Sequence, residues 1–439
     1  MTIEFNEDFI KAQQLITETN DNIFITGKAG TGKTTFLKEC IKKCGKKTVI
    51  LAPTGVAALN SGGETIHSFF KFKTDITLAK ISKKKKQEMY KNIDTIVIDE
   101  ASMLRADLLD CIDKFLRLNG RISKLPFGGA QMVFIGDLHQ LPPVVTADEQ
   151  YLFKGYYDSP YFFSAKSLQD TFCHIIEFKK IYRQIDSEFI DVLNAVRNNS
   201  VNDRTMEVLN KRVGKTFVNK KLSVYLTTTN RSAETYNEKY LQKLPGETNI
   251  FTAETEDIEN TVNFPVNYQL KLKVGAQVMM LNNDSGNRWV NGTLGIIKSI
   301  IKSLKSDTDI IYVQMETGKT EEVEPYKWEL FKYKWNEELK QIDTEKAGSF
   351  SQYPLKLAWA VTIHKSQGKT FDNVMIDLGC GAFAPGQLYV ALSRCKTING
   401  ISLIRPVRKS DVLVDDKIGQ LLKNRERINY LTDPKYKLV

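Results

Sequence analysis

Short apolar runs that end in glycine or polar turn residues recur between residue 22 and about residue 180. Ile23–Phe24–Ile25, Val49–Ile50–Leu51, Ile96–Val97–Ile98 and Met132–Val133–Phe134–Ile135 are each three or four residues long. Three of them run straight into a chemically distinctive sequence. Continuous apolar runs of this length suit parallel strands covered on both faces, whereas half-exposed strands alternate. Between the runs, Leu104, Leu108, Ile112 and Phe115 fall on one face of a helix. The pattern predicts a doubly wound α/β domain whose functional residues sit at the carboxyl ends of its strands.

A second set of runs, Val224–Tyr225–Leu226, Val374–Met375–Ile376 and Ile401–Ser402–Leu403–Ile404, predicts a second domain of the same kind. The stretch between, roughly residues 250–345, changes character. Val278–Met279–Met280–Leu281 and Ile310–Ile311–Tyr312–Val313 are separated by turn signals at Asn291–Gly292 and Gly318. Short strands with tight turns predict a small β-barrel inserted into the second domain. The expected boundaries are 1–180 for the first domain, 181–248 with 346–410 for the second, 249–345 for the insertion and 411–439 for a C-terminal helical segment.

Composition narrows the picture only slightly. A length of 439 residues is enough for about three domains. A formal charge of +10 permits a polyanionic partner without establishing one. No apolar run approaches the roughly 18 residues that span a bilayer. The start of the chain carries Glu4, Glu7 and Asp8 rather than a basic, then apolar, leader. The expected location is therefore inside the cell, in the cytoplasm and nucleoid if the source is bacterial. Cys40, Cys44, Cys111, Cys173, Cys380 and Cys395 are scattered, and no second ligand pair gives them zinc-site spacing.

The chemistry begins at Gly27-Lys28-Ala29-Gly30-Thr31-Gly32-Lys33-Thr34, a full phosphate-loop pattern after a predicted strand and before a predicted helix. Backbone N–H groups of Gly27, Ala29, Gly30, Thr31 and Gly32 would cradle phosphates, with Thr34 and Thr35 opening the helix. Lys33 reaches the β- and γ-phosphates, and the Thr34 hydroxyl sits on Mg²⁺. Asp99 and Glu100 close another apolar run. Asp99 is expected to hold Mg²⁺ through water, and Glu100 to orient and deprotonate the attacking water. Gly136-Asp137-Leu138-His139-Gln140-Leu141-Pro142-Pro143 places Gln140 at a strand tip, able to touch the γ-phosphate. Beyond it Leu141, Pro142 and Pro143 form a stiff arm, and with His139 they are expected on a nucleic acid. Arg183 and Arg394, from the second domain, would stabilise charge on the transferring phosphoryl.

The candidate track is donor-rich and aromatic. His67 and Phe69 lie in Thr65-Ile66-His67-Ser68-Phe69-Phe70, flanked by lysines 71 and 73, and suit base stacking and phosphate contact. Of Phe69 and Phe70, one is expected in the core. Pro53, Thr54 and Gly55 follow the second strand and Thr228 another. In Thr362-Ile363-His364-Lys365-Ser366-Gln367-Gly368, His364 and Lys365 are expected on DNA, and Gln367 and Gly368 on ATP. Two gripping sites on one strand are the minimum for stepping.

Read in order, these segments resemble the motifs of superfamily 1 helicases, and more narrowly the Pif family, relatives of RecD. The stretch Ser102-Met103-Leu104, Asp107-Leu108-Leu109-Asp110 and Pro126-Phe127-Gly128-Gly129-Ala130-Gln131 is similar to that family's signature. Leu272–Met279 and Val290–Gly295 are similar to its SH3-like insertion. The resemblance implies an α/β fold with two RecA-like P-loop domains, doubly wound parallel sheets, and a small SH3-like β-barrel in the second. It implies a wedge element near 66–90, ATP and Mg²⁺ as cofactors, and 5′→3′ unwinding of forked DNA, RNA–DNA hybrids and G-quadruplexes. Partners would be single-stranded and forked or structured DNA, met by a monomer that self-associates on DNA. The family's adenine-contacting glutamine falls at Ile10 in the favoured register, leaving Gln13 and Gln14 as substitutes. Two other readings are a translocase that remodels strands but unwinds poorly and a nucleotide-gated DNA-binding module; the intact catalytic set opposes the latter.

Overall fold

The computed structural model describes residues 6–421, apart from 41–43, 74–75, 86, 146–148, 150–152, 154, 170, 185, 218–221, 258–265, 303–308 and 337–340. Two compact units result, one of Met1–Arg183, Phe331–Glu345 and Asp415–Val439, the other of Gln184–Leu330 and Lys346–Val414.

The first unit is built on six strands: β1 (Asn22–Gly27), β2 (Thr48–Ala52), β3 (Glu64–Thr65), β4 (Thr95–Ile98), β5 (Gln131–Ile135) and β6 (Cys173–Phe178). Their order is β3-β2-β4-β5-β1-β6 and every pairing is parallel. β1, β4 and β5 are buried along their whole length, as their unbroken apolar runs require. Because β4, β5 and β1 are neighbours, their carboxyl ends set the phosphate loop, the acidic pair and the glutamine arm along one sheet edge. This adjacency is what positions the site.

The core beneath corrects one expectation. Phe69 is 3% and Phe70 0% exposed, so both belong to the core. Thr65 caps the helix Ile66–Phe70 by accepting the Ser68 N–H, and Lys71 ends it in a left-handed conformation (φ 54°). That short helix aims Phe69 inward, edge-on to Phe70 and Tyr90 at 4.8 and 5.7 Å between centroids. Phe69 is therefore packing, worth roughly 1.5–3 kcal/mol of buried area, and not a base-stacking platform.

The signature around Pro126 is also scaffold. Phe127 and Gly128 adopt left-handed conformations at φ 52° and 64°. The Asp113 carboxylate on helix Ala106–Asn119 accepts the Phe127 N–H at 2.6 Å. A Cβ on Gly128 would lie 2.4 Å from the Leu116 carbonyl oxygen, so only glycine lets this turn press on the helix and feed β5. From the expected C-terminal segment, residues 416–421 are helical and Ile418 joins this core; residues 422–439 lie outside the described residues.

The second unit starts its sheet with β7 (Ser223–Thr227), then departs into an antiparallel insertion. This comprises β8 (Asn249–Thr252), β9 (Glu254–Glu256), β10 (Gln269–Leu272), β11 (Gln277–Met280), β12 (Leu294–Ile301), β13 (Ile310–Met315), β14 (Thr320–Val323), β15 (Tyr326–Asn336), β16 (Gln341–Gln352) and β17 (Leu355–Leu357), of which Phe331–Glu345 in β15 and β16 belong to the first unit. Its five-stranded sheet runs β14-β13-β12-β11-β17. β17 pairs antiparallel with β11, so the insertion's sheet closes at Leu357, beyond the expected end at 345. The chain then returns through β18 (Ala360–Thr362), β19 (Asn373–Asp377) and β20 (Ile401–Leu403) to a parallel sheet ordered β18-β7-β19-β20.

Candidate nucleotide and DNA site

β1 ends at Gly27, where a Cβ would meet the Phe178 carbonyl oxygen at 2.7 Å and Thr31 Oγ1 at 2.8 Å. Gly30 and Gly32 turn the loop through left-handed conformations at φ 83° and 84°, which side chains resist. Thr31 is buried and donates its hydroxyl to Lys28 O at 2.9 Å. Ala29 is buried against the loop, while Thr34 and Thr35 are exposed in the first turn of helix Lys33–Cys40. The Lys33 ammonium donates to Gly27 O at 2.6 Å and Lys28 O at 3.0 Å, which pins it inside the loop's curve.

The neighbouring strand delivers Asp99, 6% exposed. Burial and the adjoining Glu100 push its pKa up to about 7, against the opposing pull of Lys33 and Lys38. Its Oδ1 accepts the Glu100 N–H at 3.0 Å. Glu100 itself sits in the left-handed region (φ 52°, ψ 43°), a conformation that costs a non-glycine residue about 1–3 kcal/mol. Such strain at a strand tip aims the Glu100 side chain away from the strand's course.

On β5's extension, buried Asp137 accepts the His139 N–H at 3.2 Å and the Gln140 side-chain amide at 3.3 Å. Gln140 is 7% exposed and fixed at the strand tip. The arm beyond differs from expectation. Leu141 and Pro143 are buried, so their side chains do not face a nucleic acid. Leu138 and Leu141 instead anchor the arm into the core, leaving His139 and Pro142 half-buried and Val144 exposed.

The remaining track residues of this unit are more guarded than expected. Thr54 accepts the Ala57 N–H at 3.3 Å and caps helix Gly55–Ser61, between half-buried Pro53 and Gly55. His67 is half-buried, and burial followed by Arg105 lowers its pKa, with Asp107 opposing. Burial and Arg105 thus favour the neutral ring over the cation. Arg105 is itself held by Asp107 at 2.8 Å and Glu149 at 2.7 Å.

One residue beside the phosphate loop, Tyr182, has no part in the sequence reading. Tyr182 donates its N–H to Gly30 O at 2.9 Å, and its ring lies 3.8 Å from where a Gly32 Cβ would stand. The ring is 44% exposed, and Asn6 donates to its hydroxyl at 3.3 Å. An exposed aromatic next to a phosphate loop, in Lys180-Ile181-Tyr182-Arg183-Gln184, is the signal that could have found it. Arg183 follows, half-buried.

In the second unit, the loop after β18 carries His364, Lys365, Gln367 and Gly368. Lys365 is exposed and its N–H donates to Thr362 Oγ1 at 3.2 Å. His364 is half-buried, and burial lowers its pKa. Gly368 turns at φ 74° with open space around it. Thr228 is half-buried beyond the end of β7, the strand beside β18. Arg394 holds this loop together. It is 1% exposed, and its guanidinium donates to Ser366 O at 3.1 Å, Lys369 O at 3.2 Å, Val390 O at 2.9 Å and Ser393 Oγ at 2.8 Å. The expected phosphoryl-facing arginine is thus a loop clamp in this structure.

Two parallel sheets, one bearing a glycine-rich phosphate loop beside an acidic strand tip, place the protein among the RecA-like P-loop nucleotide hydrolases. Comparison with known proteins is more specific. Residues 5–207 match the PIF1-like helicase model and residues 259–300 that of the DNA helicase Pif1 2B domain. The ATP-dependent DNA helicase Pif1 of Bdellovibrio bacteriovorus is 33% identical over 97% of this chain and 93% of its own length. The Xenopus laevis ATP-dependent DNA helicase PIF1 is 34% identical over 87% of this chain, which spans only 59% of that longer relative. Among solved structures, Bacteroides sp. Pif1 in complex with ADP-AlF4 superimposes with a TM-score of 0.85 at 37% identity, covering 97% of this chain and 98% of that one. The same Bacteroides protein bound to single-stranded DNA gives 0.71 at 36% identity, covering 97% of this chain and 98% of that one. The chain belongs to the Pif1 family of ATP-dependent DNA helicases.

Proposed function

We propose that this chain is an ATP-driven motor that travels 5′→3′ on single-stranded DNA and unwinds forked duplexes. The observation that carries the reading is the order β4-β5-β1, which sets Lys33, the Asp99–Glu100 pair and Gln140 on one sheet edge. Similarity to a helicase solved on single-stranded DNA and to one solved with a nucleotide analogue supports substrate and fuel alike.

Lys33 leaves its loop carbonyls for the β- and γ-phosphates, which Gly27–Gly32 N–H groups cradle. Tyr182 offers its exposed ring to the base, a contact independent of the glutamine sought near Ile10. Asp99 and Thr34 are hard oxygen ligands suited to Mg²⁺, which keeps several waters and takes one or two protein oxygens besides phosphate. Asp99 fits: its carboxylate is desolvated and crowded by Glu100, and a cation relieves both. Bound there, Mg²⁺ would neutralise phosphate charge. Glu100 takes the proton of the attacking water, and Gln140 reports on the γ-phosphate to the arm beyond it. Arg183 supplies positive charge during transfer. His364, Lys365, Thr228, His67, His139, Pro142 and the Pro53–Gly55 turn hold the strand.

Glu100→Gln tests the central role. DNA-stimulated hydrolysis should fall by at least about a hundredfold while ATP binding persists. Turnover at the wild-type rate would remove Glu100 from the base role.

A further inference from the structure

The loop that begins at Thr362 ends on a lysine to which the mechanism above gives no task. Lys369 is 8% exposed. Its methylene stem passes under Gly292, where a Cβ would meet three of its carbons at 3.8–4.0 Å. Its ammonium donates to Asn291 Oδ1 at 3.2 Å and lies 3.2 Å from Met279 Sδ. Lys356, on β17 and paired in register with Met279, is half-buried. Burial drives its pKa well down, and the charges of Lys369 and Lys365 drive it further. Burial alone brings Lys369 to about 8. No carboxylate among the described residues acts on either group.

Desolvated ammonium groups set beside one another, with an amide oxygen and a thioether for company, are costly to folding. A phosphate oxygen supplies the charge they lack and makes strong charge-assisted hydrogen bonds. Exposed Lys365 marks the open side of the cluster. Arg394 holds the carbonyls of Ser366 and Lys369, so the loop is anchored. We propose that Lys356 and Lys369, with Lys365 at the mouth, seat one backbone phosphate of the DNA strand between the Asn291–Gly292 turn and the Thr362–Lys369 loop, an assignment that rests on the DNA-motor reading above. The seat ties the insertion to the travelling strand, because Asn291 and Met279 belong to the insertion and Lys369 to the parallel-sheet loop.

The test is equilibrium binding of an oligothymidylate to the full chain across a salt titration. Lys356→Met, alone and with Lys369→Met, should weaken binding and reduce the salt slope by about 0.7, the value for one phosphate on a single strand. Lys356→Arg should keep the slope. Without DNA, Lys356→Met should melt at or above the wild-type temperature, since it removes a desolvated charge set against Lys369 and Lys365. If the wild type binds and the Lys356→Met slope is unchanged, the seat is wrong and the motor reading stands. If the wild type does not bind, both fall. A sharp loss of melting temperature in Lys356→Met would make the lysine a packing element and overturn the seat. Weakened ATP affinity with oligothymidylate binding intact would assign the cluster to nucleotide phosphates and overturn it too.

Discussion

Each parallel sheet carries a motif cation bound to backbone carbonyls, and the two cations do different things. Lys33 rests on Gly27 O and Lys28 O at the end of a flexible stem, partly buried and with three rotatable donors. Arg394 is fully enclosed, and its planar fork satisfies Val390 O on the preceding helix together with Ser366 O and Lys369 O of the loop after β18. Moving Lys33 costs a few torsions. Moving Arg394 strands buried acceptors, each costing about 1–3 kcal/mol. A motif residue can act on a ligand only as far as its donors can leave their present partners.

The largest effect that could break this contrast is on stability. Arg394→Ala should cost about 3–5 kcal/mol, because it leaves a buried polar cluster unsatisfied. Lys33→Ala should cost within about 0.5 kcal/mol. Denaturant unfolding followed by far-UV circular dichroism suits the comparison, since all four tryptophans lie between positions 289 and 359 and none in residues 1–183, where Lys33 sits. An Arg394→Ala protein as stable as wild type would return the arginine to a purely nucleotide-facing role.

A smaller effect separates packing from track. Phe69→Leu should cost up to about 1.5 kcal/mol while leaving single-strand affinity unchanged, because the ring faces Phe70 and Tyr90. Lost affinity with intact stability would restore base stacking. The smallest effect comes from His67. Its folded pKa lies below the ordinary value near 6.5, so the unfolded chain takes up the proton first as pH falls. The stabilisation is complete above about 6.5 and is lost as pH drops through the lowered value. Melting temperature should therefore fall more steeply toward acid in wild type than in His67→Gln; superimposed profiles would mean that the ring is not held neutral.

The contrast also explains what the sequence made legible. Gly27–Thr34, Asp99–Glu100 and Gly136–Gln140 follow fully buried runs, and an apolar run followed by reactive residues is a local signal. The parallel pairing that brings them together follows from the same pattern. Burial of an aromatic is not local. Nothing in Ile66–Phe70 tells that Phe69 meets Tyr90 and that Phe70 meets Tyr90 and Phe115, which approach from elsewhere in the chain. Leu141 and Pro143 read as an outward arm because proline stiffness is visible, whereas the pocket that takes Leu141 is not. The late hairpin β15–β16 was missed because Gln341–Gln352 lacks the alternation that marks a strand. Lys356 and Lys369 carry no local signal, because only the fold brings them into one cluster.

In the proposed motor, hydrolysis at the Lys33 site is gated by DNA. Steady-state ATP hydrolysis by wild type and Lys33→Ala, with and without an oligothymidylate, tests this directly. Strong stimulation of the wild type that vanishes in Lys33→Ala is the predicted result. Equal turnover with and without DNA, or stimulation that survives in Lys33→Ala, would contradict it.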